Sequence, residues 1–435
     1  MDLADKRVTV MGLGRFGGGV GVARYLVKQG ADVLVTDQLD ADQLKDSLAQ
    51  LEGLPIEYRL GEHNVSDFTT CDLVVANPAV KPDNRFLRSA EAAGIPVTSE
   101  IRLLVAALPN RLRTIGVTGT AGKSTTTAMI GHILGRSFGQ DHVYIGGNIG
   151  GSLLDHLDEI GHGDWVVLEL SSFMLHGLRE DRWSPHIAVI TNISPNHLDW
   201  HGTSAEYVAD KRVILEYQEA GDWYVLGPGV DQPTESKAQN LTVPELGMAR
   251  SAGLQLPGEH NHLNAVTAAS GVSPAGVDVL PGLKCLSDFP GLPHRLQFVH
   301  EHNGVRYFND SKCTTPEAAE LAIKSFDPGT VHIVLGGYDK GSDLKPLAGL
   351  AAHQCAGVYT IGATGPVIHT AAESAPAKAQ VVSCGDLDVA VREAVGRAKP
   401  GHIVLLSPAC ASWDQFDNYE QRGDRFIELV KKLTA

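Results

Sequence analysis

Three times along this chain a short β-branched run stops at a glycine-rich turn and a helical stretch follows. Val8-Thr9-Val10-Met11 runs into Gly12-Leu13-Gly14-Arg15-Phe16-Gly17. Thr114-Ile115-Gly116-Val117-Thr118 runs into Gly119-Thr120-Ala121-Gly122-Lys123, and a run from Thr330 to Leu335 breaks at Gly336-Gly337. This step leaves few folds open, because a parallel strand is reached only through a crossover, usually a helix. The expected class is α/β with three domains: a Rossmann-like N-terminal domain, a central P-loop ATPase-like parallel-sheet domain, and a C-terminal Rossmann-like domain. Breaks fall near residue 100 and in Phe289-Pro290-Gly291-Leu292-Pro293, where two prolines interrupt regular structure. The expected segments are 1–99, 100–289 and 290–435.

Composition narrows the function. The net charge of −15 makes general binding of nucleic acid or anionic membrane unfavourable. No window is apolar enough to span a bilayer, and the charged start Met1-Asp2-Leu3-Ala4-Asp5-Lys6-Arg7 lacks an apolar signal core. The six cysteines (71, 285, 313, 355, 384 and 410) show no CxxC spacing and read as reduced thiols. A cytoplasmic chain with small-molecule partners is expected.

The first turn matches a dinucleotide fingerprint in spacing and context, with Asp37 twenty residues beyond Gly17. Its glycines allow a pyrophosphate to approach the helix N-terminus, and Asp37 can accept from a ribose or base. Any nucleoside diphosphate would serve, and a ligand-free tight turn is the plainer alternative. The second turn is stronger. Gly119-Thr120-Ala121-Gly122-Lys123-Ser124-Thr125 offers backbone N–H groups, a lysine for β/γ-phosphates and a hydroxyl for Mg²⁺, although Val117 occupies the first glycine position of the strict motif. Glu169 ends one apolar run, and His197 follows another; beside a phosphate-bound Mg²⁺ both are candidate ligands. Thr203-Ser204-Ala205-Glu206 is a capping box, which places Lys211 on a helix. By residue type alone, Lys211 reads as a solvated lysine.

Together these segments resemble the Mur ligase family. The resemblance runs from Gly12 to the end of the chain. It passes through Gly146-Gly147-Asn148-Ile149-Gly150, Glu169-Leu170-Ser171-Ser172-Phe173, His197-Leu198-Asp199, His260-Asn261-His262-Leu263-Asn264, Gly291-Leu292-Pro293-His294-Arg295 and Asn309-Asp310-Ser311-Lys312. It closes with Leu406 to Phe416 and Glu420-Gln421-Arg422-Gly423, the runs most specific to the D-glutamate-adding branch. The resemblance implies ATP-dependent ligation of D-glutamate to UDP-N-acetylmuramoyl-L-alanine through an acyl phosphate, by a monomer. It gives catalytic roles to Lys123, His197 and Lys211. It gives ATP binding to 119–125, Asn261, Asn264, Arg295, Asp310 and Lys312. Mg²⁺, at two sites, would be held by Ser124, Glu169, His197 and a carbamylated Lys211. The UDP-precursor, not NAD, would meet Gly14, Arg15, Phe16, Asp37, Asn148 and Ser171. The amino acid would meet Thr314, Lys340, Ser412 and Tyr419.

This chain departs from the family pattern at several positions. Ala121 stands where Asn is usual, Met174 where Gln is, Asn77-Pro78-Ala79 where Ser-Pro-Gly is, Thr315 where Asn is, and Tyr419 where Phe is. None removes a phosphate or metal ligand, and Ala121 retains its backbone donor. An NAD-dependent oxidoreductase would leave the second loop without a job. A non-catalytic nucleotide binder would have no use for Glu169, His197 and the Asn-Asp-Ser-Lys run together. A different acceptor amino acid is the alternative within the family.

Overall fold

In a computed structural model the protein is described over residues 2–14, 18–194, 196–376 and 379–435. It packs as two compact units, residues 1–248 with 263–285 and residues 249–262 with 286–435. The first unit holds two sheets. One comprises β1 (Arg7–Met11), β2 (Asp32–Asp37), β3 (Ile56–Leu60), β4 (Leu73–Ala76) and β5 (Val97–Thr98), in the order β3-β2-β1-β4-β5. All its pairings are parallel. That order reverses direction between β1 and β4, which opens a crevice beyond the strands' C-terminal ends.

The second sheet comprises β6 (Thr114–Thr118), β7 (Val143–Gly147), β8 (Trp165–Glu169), β9 (Ile187–Ile190), β10 (Trp223–Leu226) and β11 (Gln239–Leu241), in the order β11-β10-β9-β6-β8-β7. It too is wholly parallel. Central strands β6, β8 and β9 are buried along their whole length, β9 wholly apolar, β8 apolar up to Glu169 and β6 apolar between its terminal threonines. They put Thr118, Glu169 and Ile190 at neighbouring C-terminal ends.

The other unit carries β12 (Gln297–His302), β13 (Val305–Asn309), β14 (Val331–Gly336), β15 (Gly357–Ile361), β16 (Gln380–Gly385) and β17 (Ile403–Leu406), in the order β12-β13-β17-β14-β15-β16. The expected parallel pattern holds except at β12, which pairs antiparallel to β13 through the hairpin turn at Asn303-Gly304. Its two faces are covered by separate apolar clusters, one around Ile333 and Leu405, the other around Val404 and Phe426. The three sheets fall within the three expected segments, but residues 249–262 pack with the last sheet's unit. No helix among the described residues is long and apolar enough to cross a membrane.

Candidate active site

The phosphate-type loop leaves β6 and enters the helix Lys123–Phe138. Two glycines are needed for its path. Gly119 has φ 151°, and a Cβ there would collide with Thr191 Oγ1. Gly122 caps the helix at φ 81°, and a Cβ there would stand 2.5 Å from Asn264 Oδ1. Thr191 and Asn192, just past β9, clasp the loop. Thr191 Oγ1 and Asn192 Nδ2 donate to Ala121 O at 2.6 and 2.9 Å. Asn192 Oδ1 accepts from Ala121 N–H at 3.0 Å, and Asn192 O from Thr120 N–H at 2.9 Å. Ala121 thus retains its donor, as expected, but here that donor is engaged by Asn192. Lys123 Nζ donates to Thr120 O at 3.1 Å, and Ser124 is half-buried in the first helical turn.

Lys211 corrects the reading by residue type. The capping box is complete and opens the helix Ser204–Glu216, but the lysine on it is 2% exposed. Its Nζ donates to Gly119 O at 2.8 Å and lies 4.8 Å from the centre of the Tyr207 ring. Burial, and next the Lys123 ammonium, pull its pKa down to about 7, opposed by the Glu169 carboxylate. Helical periodicity cannot report this, since the buried face of that helix meets a polar loop.

Glu169, at the end of β8, is buried. Asn148 Nδ2 donates to its Oε1 at 3.0 Å, while Oε2 has no partner among the described residues. An unpaired buried carboxylate oxygen is costly, and a cation would satisfy it. With the Ser124 hydroxyl at the loop's helix start, these oxygens fit the hard, oxygen-seeking Mg²⁺. His197 is exposed in left-handed backbone, φ 51°, with its ring 5.2 Å from that of Phe173. No three His, Cys, Asp or Glu side chains among the described residues gather into a metal cage. Ser171 caps the helix Ser172–Leu178 by accepting from Met174 N–H at 3.2 Å.

Several residues escaped the sequence reading. Tyr207 O–H lies 3.0 Å from Thr120 Oγ1, joining the lysine helix to the phosphate loop. His201 bridges Asp210 and Ser172, 2.9 Å from each, and His176 adds a contact to Asp210 at 3.1 Å. In the sequence, only the spacing between His201 and Asp210 hints at this link. At the first turn, Asp37 faces inward. Its Oδ2 accepts from Leu13 and Gly14 N–H at 2.9 and 3.0 Å, and its Oδ1 from Leu39 N–H at 2.9 Å. Arg15 and Phe16 lie outside the described residues.

The other unit gathers its own set. Asp310 is buried, accepts from Ser407 Oγ at 2.8 Å and Leu296 N–H at 3.0 Å, and is raised by burial to a pKa of about 6. Its neighbour Arg295 is half-buried in a loop where His294 and Leu296 have positive φ, 58° and 41°. Lys312 Nζ lies 5.3 Å from the Tyr419 ring centre, and Lys340 Nζ 5.0 Å from that of the exposed Trp413. Ser412 is buried, and Thr314 half-buried in the turn after β13. Asn261 and Asn264 both lie on the helix Glu259–Gly271, with Asn261 Nδ2 donating to Pro257 O at 2.7 Å.

Comparison with known proteins matches three family profiles. The Mur ligase MurD-like N-terminal domain covers residues 6–99, the Mur ligase middle domain 117–248, and the Mur ligase glutamate ligase domain 294–410. The chain is 39% identical to a UDP-N-acetylmuramoylalanine–D-glutamate ligase of Roseiflexus sp. (strain RS-1), covering 100% of both chains. It is 37% identical to a protein of that name from Acidobacterium capsulatum, over 99% of this chain and 97% of the other. Among solved structures, the alanine ligase MurC of Thermotoga maritima shares the fold at TM-score 0.59 and 21% identity, over 98% of this chain and 100% of the other. The MurF ligase of Thermotoga maritima does so at 0.56 and 17%, over 99% and 95%. With a phosphate loop, an unsatisfied buried carboxylate and full-length likeness pointing one way, the chain belongs to the Mur ligase family, in the branch of the UDP-N-acetylmuramoylalanine–D-glutamate ligases.

Proposed function

We propose that this protein joins D-glutamate to UDP-N-acetylmuramoyl-L-alanine, using ATP, in peptidoglycan precursor synthesis. The observation that carries the reading is the buried Glu169 and Lys211 beside a phosphate loop, in a chain aligned end to end with relatives named for this reaction. A carboxylate is a poor electrophile. The alanyl carboxylate oxygen therefore attacks the γ-phosphorus of ATP, ADP leaves, and an acyl phosphate forms. The amine of the acceptor then attacks the acyl carbon, loses a proton and expels inorganic phosphate. Lys123 neutralises the transferred phosphoryl group, and the loop around Gly119–Thr125 holds it in line.

Mg²⁺ held by Ser124 and Glu169, with His197 and Lys211 at a second site, would supply charge neutralisation between the two anions. In this reading Lys211 reacts as the neutral amine with CO₂, releasing a proton and leaving a carbamate whose oxygens can ligate a metal. The lowered pKa supplies that neutral amine near neutrality. Asn261, Asn264, Arg295, Asp310 and Lys312 complete the ATP site. The uridine diphosphate lies at the crevice beyond β1 and β4, served by Gly14, Arg15, Phe16, Asp37, Asn148 and Ser171. Thr314, Lys340, Ser412 and Tyr419 frame the amino acid. The domains are 1–99, 100–289 and 290–435, in a cytoplasmic monomer. Phosphate release with UDP-N-acetylmuramoyl-L-alanine, screened across D- and L-amino acids, tests the reading: D-glutamate should exceed all others, and preference for a neutral or cationic acceptor would reject it.

A further inference from the structure

Arg422 belongs to the Glu-Gln-Arg-Gly run, to which neither the motif reading nor the reaction assigns work. It lies on the helix Tyr419–Leu433 and is 1% exposed. Its Nε donates to Ser311 Oγ at 3.0 Å and its Nη2 to Ser311 O at 2.7 Å. Ser311 Oγ in turn donates to Tyr419 O at 2.8 Å. These bonds fasten the turn after β13, which carries Asp310, Lys312 and Thr314, to the start of the last helix.

The remaining nitrogen is the unusual one. Nη1 is buried and has no hydrogen-bond partner among the described residues. It lies beside Gly337, just past β14: a Cβ there would stand 3.3 Å from Nη1 and 3.1 Å from Cys410 Cβ. Tyr338 N–H donates to Ala411 O at 2.9 Å, so the turns after β14 and β17 are joined directly above this charge. Burial lowers the guanidinium's pKa to about 10, which leaves it charged at neutral pH. Cys313, Cys410 and Asp414 oppose that shift, but no carboxylate forms an ion pair with it among the described residues. An unpaired buried cation is destabilising. Its field, little screened in the interior, favours an anion at the sheet end above it.

We infer that Arg422 is a positioning residue of the acceptor pocket: it fastens the turn after β13 to the last helix and places a fixed positive charge beside the joined turns after β14 and β17, favouring an amino acid with a second carboxylate. The inference rests on the D-glutamate reading. Kinetics of Arg422→Gln and Arg422→Lys on the full chain test it, with ATP, precursor and D-glutamate each varied and thermal midpoints recorded. Loss of the charge in Arg422→Gln should raise KM for D-glutamate about tenfold or more, with KM for ATP changed less than about threefold. Arg422→Lys, which retains the charge, should recover most of that loss. A merely structural role would lower kcat and the midpoint and move all three KM values together. Gln and Lys variants with equal KM for D-glutamate would overturn the inference and leave the ligase reading intact. If Arg422→Gln does not fold, Arg422→Lys decides alone, with a selective KM rise below about threefold supporting the inference and a larger rise, or none in any parameter beside a collapsed kcat, overturning it. Parent enzyme that prefers a neutral acceptor would overturn both.

Discussion

The first and second glycine turns share a strand, a tight bend and a helix, yet they are wired in opposite senses. After β1, a carboxylate fills the turn: Asp37 takes the N–H groups of Leu13, Gly14 and Leu39. After β6, the Lys123 ammonium stands at the helix start, and the buried Lys211 amine donates to Gly119 O. A carboxylate at a turn can accept from the ribose or base of a nucleotide, whereas an ammonium group favours its phosphates. In the proposed reading the first turn therefore offers an acceptor at the crevice, and the second a cation to a phosphate. A glycine fingerprint reports the bend, while the charge around it reports the ligand.

The largest test of this contrast is Lys123→Ala. It removes the cation proposed to neutralise the transferred phosphoryl group and should lower kcat by roughly 10³-fold or more; a steady-state assay at saturating ATP and Mg²⁺ retaining substantial turnover would break the contrast at once. Next is Lys211→Ala, expected to lose roughly 10²-fold or more, like a lost metal ligand or oxyanion donor. Short-chain carboxylates should partly restore it by filling the vacated space, and should do nothing for Lys123→Ala, where the missing group is a cation. Activity of Lys211→Ala near the parent level, without rescue, would return that residue to a structural role.

The third test follows the Lys211 charge in metal-free, bicarbonate-free protein. Its folded pKa of about 7 lies below the ordinary 10.5, so between those values the unfolded chain holds a proton that the folded chain lacks. Stability of the parent therefore rises with pH across that window. Lys211→Met, lacking this group, should gain thermal midpoint over the parent more at about pH 6.5 than at about pH 9.5; a pH-independent difference would contradict the shift. The smallest effect is at the first turn. Asp37→Asn loses at least one charge-assisted acceptor and should cost about 1–3 kcal/mol in chemical denaturation. In the parent, UDP should raise the midpoint more than NAD does; the reverse order would restore a dinucleotide site.

Strand–turn–helix repetition, written in local glycines and β-branched runs, was enough to anticipate three sheets, the phosphate loop and the capping box before Lys211. It also placed Glu169 at a strand end, because a central parallel strand must be apolar until it emerges. Local patterns could not anticipate β12, since a hairpin at a sheet edge depends on which neighbour remains unpaired. Nor could they reveal the Asn192 clasp, the His201–Asp210 link or the inward turn of Asp37, whose partners are set by strand order.

Sequence by itself determined the elements, the bends and the family, because backbone propensity and motif spacing act over a few residues. Tertiary structure alone decided the charge states and partners. Lys211 and Arg422 look like ordinary surface cations in the chain, and they differ from surface cations only because the fold takes water away from them. Desolvation and the neighbours that replace water are properties of packing, and they turn one lysine into an amine of near-neutral pKa and one arginine into a fixed interior charge.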